Sequence, residues 1–308
     1  MNVDEICIVG GGAIGSVLAY FLYRSGISPI PVYYASEESY AAVRDQGGIY
    51  VYDKTLNEEY FVPVKPRVCG TPLDKCFFVL NAVKAYAVPQ TLDLMRRITC
   101  PGSLVIMLQN GFGSLEYVEE NLREVKVAGG VVYLGAERLD RGKTVYHGGS
   151  VVITGCRKVP CPELSELARA LRLSGLELRI TNDIDYYRWL KLALNAVINP
   201  ITAVLKARNR VILEDEGIEI AKLILREVCE VAKMHGYFFD ENRLLAYVKR
   251  NVEIVSDNIS STAQDIIQGR ETEVDYINGY IARQLGKSNG VNYVLTLLVK
   301  LAEKYHRG

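Results

Sequence analysis

The segment RWLKLALNAVINPITA, residues 188–203, sets polar side chains into an apolar helical pattern. Lys191, Asn195 and Asn199 recur at i, i+4 and i+8, within an arc of about 80° on one helix face. Buried Lys and Asn side chains are costly unless they find partners. The stripe is therefore either a structural network or the wall of a cavity. His147, His235 and His306 are the chain's three histidines and lie far apart in sequence. Acid–base chemistry is thus sought first among lysines and carboxylates. There is no HExxH motif and no Cys/His cluster, so no metal site is expected.

A second constellation lies at the N-terminus. VGGGAIGS carries Gly10, Gly12 and Gly15 in G-x-G-x-x-G spacing, after an apolar run and at the start of a helical pattern. In that context the first glycine makes a tight turn and the second admits a pyrophosphate close to the backbone. The third lets helix and strand pack closely, and the helix N-terminus offers N–H groups to phosphate. This is the pattern of a dinucleotide cradle. A third polar stretch, DNISSTAQDIIQGRETEVDYING (residues 257–279), places Asn258 and Ser261 at i, i+3 on a shared face. Asp265, Arg270, Glu273 and Asp275 follow. Thr272 is a possible helix cap, and Arg270–Glu273 a possible surface pair.

These residues need a scaffold. Ile6–Val9, Ile30–Tyr34, Cys76–Leu80 and Leu104–Leu108 read as buried strands, with helical patterns at Ser16–Arg24 and Pro89–Ile98. Val125–Leu134 and Ser150–Thr154 also read as extended. Such alternation implies a parallel sheet covered on both faces. Val145–Gly149 supplies turn residues in an antiparallel addition to it. After about residue 182 the pattern is helical throughout: Tyr186–Val197, Glu216–His235, Asn242–Ser260, Val274–Leu285 and Asn292–Tyr305. Pro200 is expected to end or kink its helix. The expected organisation is an α/β Rossmann-type N-terminal domain, residues 1–182, followed by an all-helical domain, residues 183–308.

The 308 residues balance 36 Lys and Arg against 36 Asp and Glu, so no basic footprint for nucleic acid is offered. No apolar run is long enough for a membrane span, and no signal peptide is evident. A cytoplasmic location is expected. The seven cysteines are scattered, with no CxxC, and reduced thiols are expected.

Several ordered motifs together resemble the ketopantoate reductase (2-dehydropantoate 2-reductase) family. They are VGGGAIGS, VKAY at Val83–Tyr86, QNGFG at Gln109–Gly113, HGG at His147–Gly149, RWLKLALNAVINPITA and ISSTAQDIIQGRETEVDYING, spanning residues 6–279. The resemblance implies a helical domain like the C-terminal domain of 6-phosphogluconate dehydrogenase. It implies reduction of ketopantoate to (R)-pantoate by hydride from NAD(P)H, in pantothenate and coenzyme A biosynthesis. Lys191 would be the catalytic proton donor. Glu273 would be the acid that holds substrate, supports that lysine and borders the cofactor. Asn195, Asn199, Asn258, Ser261 and Asn110 would contact substrate. Gly10, Gly12, Ala13, Ile14 and Gly15 would cradle the dinucleotide, with Lys84 and Asn110 near its nicotinamide.

One departure bears on the cofactor. Members that use NADP(H) usually carry an Arg at the end of the second strand, where this chain has Tyr34, so NAD(H) is a possible cofactor. Glu37 and Glu38 follow, and Arg44 lies on the next helical pattern. The partner implied is a small keto acid, with a homodimer as the expected assembly. Another 2-keto acid or opine-type dehydrogenase of the same architecture, or a non-catalytic nucleotide sensor, is the alternative.

Overall fold

The computed structural model describes residues 6–68, 70–286 and 288–306. They fall into two compact units, divided between residues 109 and 110, 113 and 114, and 185 and 186, with 110–113 belonging to the second.

In the first unit the order is β1 (Ile6–Val9), α1 (Ala13–Arg24), β2 (Ile30–Tyr33), α2 (Glu37–Gln46), β3 (Gly48–Asp53), β4 (Glu58–Arg67), β5 (Cys76–Asn81), α3 (Leu92–Ile98), β6 (Thr99–Met107), α4 (Ser114–Asn121), β7 (Lys126–Asp140), β8 (Lys143–Cys156), α5 (Leu164–Leu171) and β9 (Glu177–Ile180). One sheet runs β3-β4-β2-β1-β5-β6-β7-β8-β9. The pairs from β4–β2 through β6–β7 are parallel. Alternation decides what each strand buries. Ile6 and Ile8 join α1 and α5 on one face, and Cys7 and Val9 join α3 and α4 on the other. Both faces are covered, as a parallel sheet requires.

Three expectations are corrected in this unit. Val145–Gly149 is not the turn of the antiparallel addition. These residues lie inside β8, which pairs antiparallel with β7, and the turn falls at Arg141–Gly142. Gly148 and Gly149 adopt φ of 108° and 82°, where the β7–β8 register shifts, so the glycines serve a bulge. The β3–β4 hairpin has no counterpart in the expected elements, and its β3 also pairs with β8. Finally, the thiols are not all reduced: Cys7–Cys76 and Cys156–Cys161 are disulfides. Cys7 and Cys76 stand 69 residues apart but on paired strands, 5.8 Å between Cα atoms, a proximity that sequence spacing cannot reveal.

The second unit is helical. Its first helix, α6 (Ile184–Leu205), belongs to this unit from Tyr186 onward. It is followed by α7 (Asp215–Met234), α8 (Glu241–Ile254), α9 (Ser261–Ile267), α10 (Asn278–Leu285) and α11 (Val291–His306). Leu192, Ala193, Ala196 and Val197 of α6 pack with Ile224, Val228 and Val231 of α7 and Leu244, Val248 and Val252 of α8.

Pro200 does not end its helix, which continues to Leu205. A proline here removes the N–H that would bond the carbonyl of Ala196. That carbonyl instead accepts from Asn278 Nδ2 at 2.9 Å, inside the core. The expected Val274–Leu285 helix is also divided. A 3₁₀ turn at Val274–Tyr276 precedes α10, with Ile277 (φ −108°, ψ −94°) between them.

Candidate active site

The glycine loop follows β1 and opens α1. Gly10 has φ of +104°, and a Cβ there would stand 2.7 Å from the backbone nitrogen of Val83. A Cβ on Gly15 would collide with the carbonyl oxygen of Gly10, so helix and strand touch backbone to backbone. Gly12 differs: its Cβ position meets nothing within 4 Å. Gly12 is also the N-cap of α1, with no side-chain cap and no acidic residue in the first turn. The N-terminal N–H groups of Ala13, Ile14 and Gly15 therefore belong to a helix end whose dipole favours an anion. These features fit a dinucleotide pyrophosphate. Lys84 follows Val83 in chain order and caps the 3₁₀ turn Ala85–Thr91.

Gly11, not weighed in the sequence, has its own constraint. The ring of Tyr34 lies where a Cβ on Gly11 would be. Tyr34 is 8% exposed, and its buried hydroxyl has no hydrogen-bond partner. Burial raises its pKa. Arg44, on α2, is exposed and pairs with Asp45 at 2.8 Å.

In the helical unit, α6 carries Lys191, Asn195 and Asn199 on one face. Asn195 Nδ2 donates to Asn110 Oδ1 at 3.1 Å, and Asn110 Nδ2 donates to Glu273 Oε2 at 3.3 Å. Glu273 is 4% exposed, and Arg270 binds Asp265 at 3.0 Å. Asn199 is 5% exposed, and its Nδ2 is buried without a partner. Burial lowers the pKa of the Lys191 ammonium to about 8. A lysine so shifted gives up its proton near neutral pH more readily than an ordinary one.

Asn258 and Ser261 do not share a helix face. Asn258 lies before α9, where its carbonyl accepts from the Asn209 N–H at 2.9 Å, and Ser261 is the first residue of α9. Both are exposed. The cap of α9 is the buried Ser260, whose hydroxyl accepts from Ala263 N and meets Thr202 Oγ1 at 2.7 Å.

Sequence reasoning passed over the groups that hold Asn110. Gly111 has φ of +84° and packs on the Tyr276 carbonyl, which also accepts from Phe112 N at 3.0 Å. The Phe112 ring stacks on Tyr280 and lies tilted against Trp189, with centroids 5.1 and 4.5 Å away. The Arg188 guanidinium sits 4.0 Å from the Phe112 centroid. The one available signal was Arg188 itself, a charged residue in an apolar helix three positions before Lys191. Among the described residues, no group of three or more His, Cys, Asp or Glu could hold a metal ion.

Two family models match the chain: "Ketopantoate reductase PanE/ApbA" over residues 6–158, and "Ketopantoate reductase PanE/ApbA C terminal" over residues 183–305. The chain belongs to the ketopantoate reductase family. It is 30% identical to a 2-dehydropantoate 2-reductase of Archaeoglobus fulgidus, over 98% of this chain and 99% of that protein. A PanE/ApbA family ketopantoate reductase from Ralstonia eutropha superposes with a TM-score of 0.86 at 25% identity, covering 98% of this chain and 99% of the other. A D-mandelate dehydrogenase, in a structure with NADH and anilino(oxo)acetate, superposes with a TM-score of 0.88 at 21% identity and the same coverage, a likeness of fold. The ketopantoate reductase fold thus joins a sheet-based unit and a helical unit in one chain.

Proposed function

We propose that this protein reduces 2-dehydropantoate (ketopantoate) to (R)-pantoate with hydride from a nicotinamide dinucleotide, as its curated relatives are named for. The observation that carries this reading is the chain Asn195–Asn110–Glu273 beside the half-buried lysine Lys191. The cradle of Gly10, Gly12, Ala13, Ile14 and Gly15 would hold the pyrophosphate, and Lys84 and Asn110 would border the nicotinamide. When bound, the cofactor supplies the hydride.

The protein's own residues supply the rest. As the ketone oxygen gains negative charge, the Lys191 ammonium stabilises it and then donates a proton from Nζ. One positioned acid contributes about 10²–10⁴-fold. Glu273 accepts hydrogen bonds only, and so orients Asn110. Asn195 then turns its amide nitrogen to Asn110 and its Oδ1 toward a substrate donor, for which a hydroxyl is suited. Asn199 Nδ2, buried and without a partner, is the matching donor for a substrate oxygen. Asn258 and Ser261, both exposed, would contact the substrate from the α9 side.

For the cofactor, we propose that NADH is used as well as NADPH. Tyr34 brings no cation to the end of β2, and Glu37 and Glu38 make the first turn of α2 acidic. That environment suits a ribose 2′-hydroxyl better than a 2′-phosphate. We also propose a cytoplasmic homodimer.

The test is direct. Oxidation of NADPH and NADH is followed separately with ketopantoate, and with phenylglyoxylate and pyruvate as competing keto acids. Ketopantoate-dependent oxidation, at a kcat/KM well above that for the other keto acids, is the expected result. A preference for phenylglyoxylate would instead assign the protein to the mandelate-type dehydrogenases. Binding of dinucleotide without turnover of any keto acid would leave a sensor.

A further inference from the structure

At the carboxyl ends of β5 and β6 a side chain takes over where the backbone ladder stops. The last paired residues are Asn81 and Met107, after which the Leu108 N–H donates to the Asn81 carbonyl at 3.0 Å. Gln109 comes next. Its Nε2 lies 2.9 Å from the Asn81 carbonyl oxygen, 3.0 Å from Asn81 Oδ1 and 3.0 Å from the Val83 carbonyl oxygen. Asn81 Oδ1 is itself fixed as an acceptor by the Val83 N–H, which donates to it at 3.4 Å, while Asn81 Nδ2 donates to Thr91 Oγ1 at 3.1 Å. Three acceptors therefore face Gln109, so its amide nitrogen must point to them and its oxygen away. That oxygen is buried and, among the described residues, meets no donor. Two N–H protons thus serve three acceptors while the oxygen serves none, a weak arrangement for stability alone.

What the amide does is place a turn. The peptide joining Val83 to Lys84 is planar, so holding the Val83 oxygen fixes the plane from which Lys84 departs. Asn81, fully buried, holds the same turn through the Val83 N–H. Val83 in turn lies against the glycine loop, its nitrogen 2.7 Å from the position a Cβ on Gly10 would take. Lys84 then leaves with φ of −64° and ψ of 149° and caps the 3₁₀ turn Ala85–Thr91. Ligands of open parallel sheets bind at this end of the strands.

We propose that Gln109 is a positioning residue for the dinucleotide: with Asn81 it fixes the Val83–Lys84 turn against the glycine loop, and it acts on the cofactor through Lys84. The inference rests on the reading of Lys84 and the glycine loop as cofactor contacts and adds the residues that place them. Neither Gln109 nor Asn81 needs to touch the cofactor for this. Loss of the Gln109 donor frees the Val83 carbonyl, and Lys84 then samples directions that do not meet the dinucleotide.

The test is NADH affinity of the full chain, read from nicotinamide fluorescence on titration, beside melting temperature and ketopantoate kinetics. Wild type is compared with Gln109→Leu, Lys84→Ala and the double variant. The expected result is about tenfold weaker NADH binding for each single variant, with KM for NADH raised and KM for ketopantoate nearly unchanged. The double variant should bind NADH about as weakly as the weaker single variant, because the two residues act as one. Losses that multiply to about 100-fold would show that Gln109 does not act through Lys84, and overturn the proposal. So would a Gln109→Leu protein that melts lower yet binds NADH as wild type does, since that is a role in stability alone. If Gln109→Leu does not fold, Gln109→Glu, which keeps the shape and turns an acceptor toward the three oxygens, takes its place. Failure of both to fold assigns Gln109 to the fold and overturns the proposal. Lys84→Ala with wild-type affinity overturns the Lys84 contact and this proposal with it, and leaves the glycine cradle standing. A wild type that binds no dinucleotide overturns the cofactor reading itself.

Discussion

Asn195 and Asn110, 85 positions apart in the chain, are joined by a hydrogen bond of 3.1 Å whose direction is set by a third residue. Glu273 can only accept when ionised, so the Asn110 amide nitrogen must face it and its oxygen must face Asn195. The polarity of the chain thus passes from a buried carboxylate to the amide of α6. Asn110→Ala removes the relay while Gly111 and Phe112 keep their own contacts with Tyr276. We expect ketopantoate turnover to fall by roughly 10²-fold with the melting temperature nearly unchanged, as for loss of a positioning group. Glu273→Gln keeps the shape but permits either orientation of Asn110, and should also lower turnover. Equal kcat/KM for wild type and both variants would remove this chain from the mechanism.

The depressed pKa of Lys191 gives a pH signature. Burial disfavours its charged form, and the group titrates near 8 instead of in the ordinary lysine range. As the proton donor, it must be protonated for reduction. The rate of ketopantoate reduction should therefore be level below about pH 8 and fall above it. The reverse oxidation, which needs the neutral amine, should rise over the same interval. The same shift has a stability consequence with a definite sign. The unfolded chain binds more protons than the native one between about pH 8 and the ordinary lysine pKa, so this group's contribution to stability increases as pH rises through that window. A reduction rate that stays flat to pH 9.5 would assign the proton to another group. Lys191→Ala is expected to lose about 10²–10⁴-fold in turnover with the fold retained.

Tyr34 lies on Gly11 at the end of β2, and the exposed Arg44 is engaged by Asp45. Tyr34→Arg should shift the ratio of kcat/KM for NADPH over NADH upward by at least tenfold, since one cation near a phosphate is worth about 1–2 kcal/mol. Replacing the buried ring also opens space beside Gly11, so Tyr34→Leu is the control for packing. An equal shift in both variants would trace the effect to the cavity and not to charge.

Two disulfides give a chemical test. Reduction of the unfolded protein should release four more thiols than are titrated in the unfolded, unreduced protein. Cys7–Cys76 closes the longer loop, with a separation of 69 residues, and should contribute more stability than Cys156–Cys161, whose cysteines are 5 apart. A melting temperature insensitive to reductant would mean that neither bond constrains the unfolded chain.

How far the sequence carried depends on whether the signal was local. Ile6–Val9 followed by glycines, and the i, i+4, i+8 stripe of α6, were legible because strand, turn and helix periodicity are written in neighbouring residues. The Asn110–Glu273 contact spans 163 positions, and resemblance to a family put both residues in the site without foreseeing that they touch. Cys7 and Cys76 were misread for the same reason: only strand pairing brings them together. The β3–β4 hairpin escaped because Tyr50, Tyr52 and Tyr60 blur the alternation between buried and exposed positions. Asn258 and Ser261 have helical spacing, yet Ser260 caps α9 between them, and the cap outranks the periodicity.

Pro200 shows the same competition most clearly, and it can be measured. A proline inside a helix costs about 3 kcal/mol or more, partly from the carbonyl it leaves without an N–H. Here Asn278 donates to that carbonyl of Ala196 at 2.9 Å and to Asn292 Oδ1 at 2.8 Å, wholly inside the core. Asn278→Ala should destabilise the protein by about 1–3 kcal/mol, because it leaves buried acceptors unsatisfied. In Pro200→Ala the new N–H can bond Ala196 directly, so the helix no longer depends on Asn278 for that bond. The double variant Pro200→Ala/Asn278→Ala should therefore lose less than Asn278→Ala alone, with a favourable coupling of about 0.5–2 kcal/mol by denaturant unfolding. Strict additivity of the two substitutions would mean that Asn278 contributes through packing or through Asn292, and that α6 tolerates Pro200 without its help.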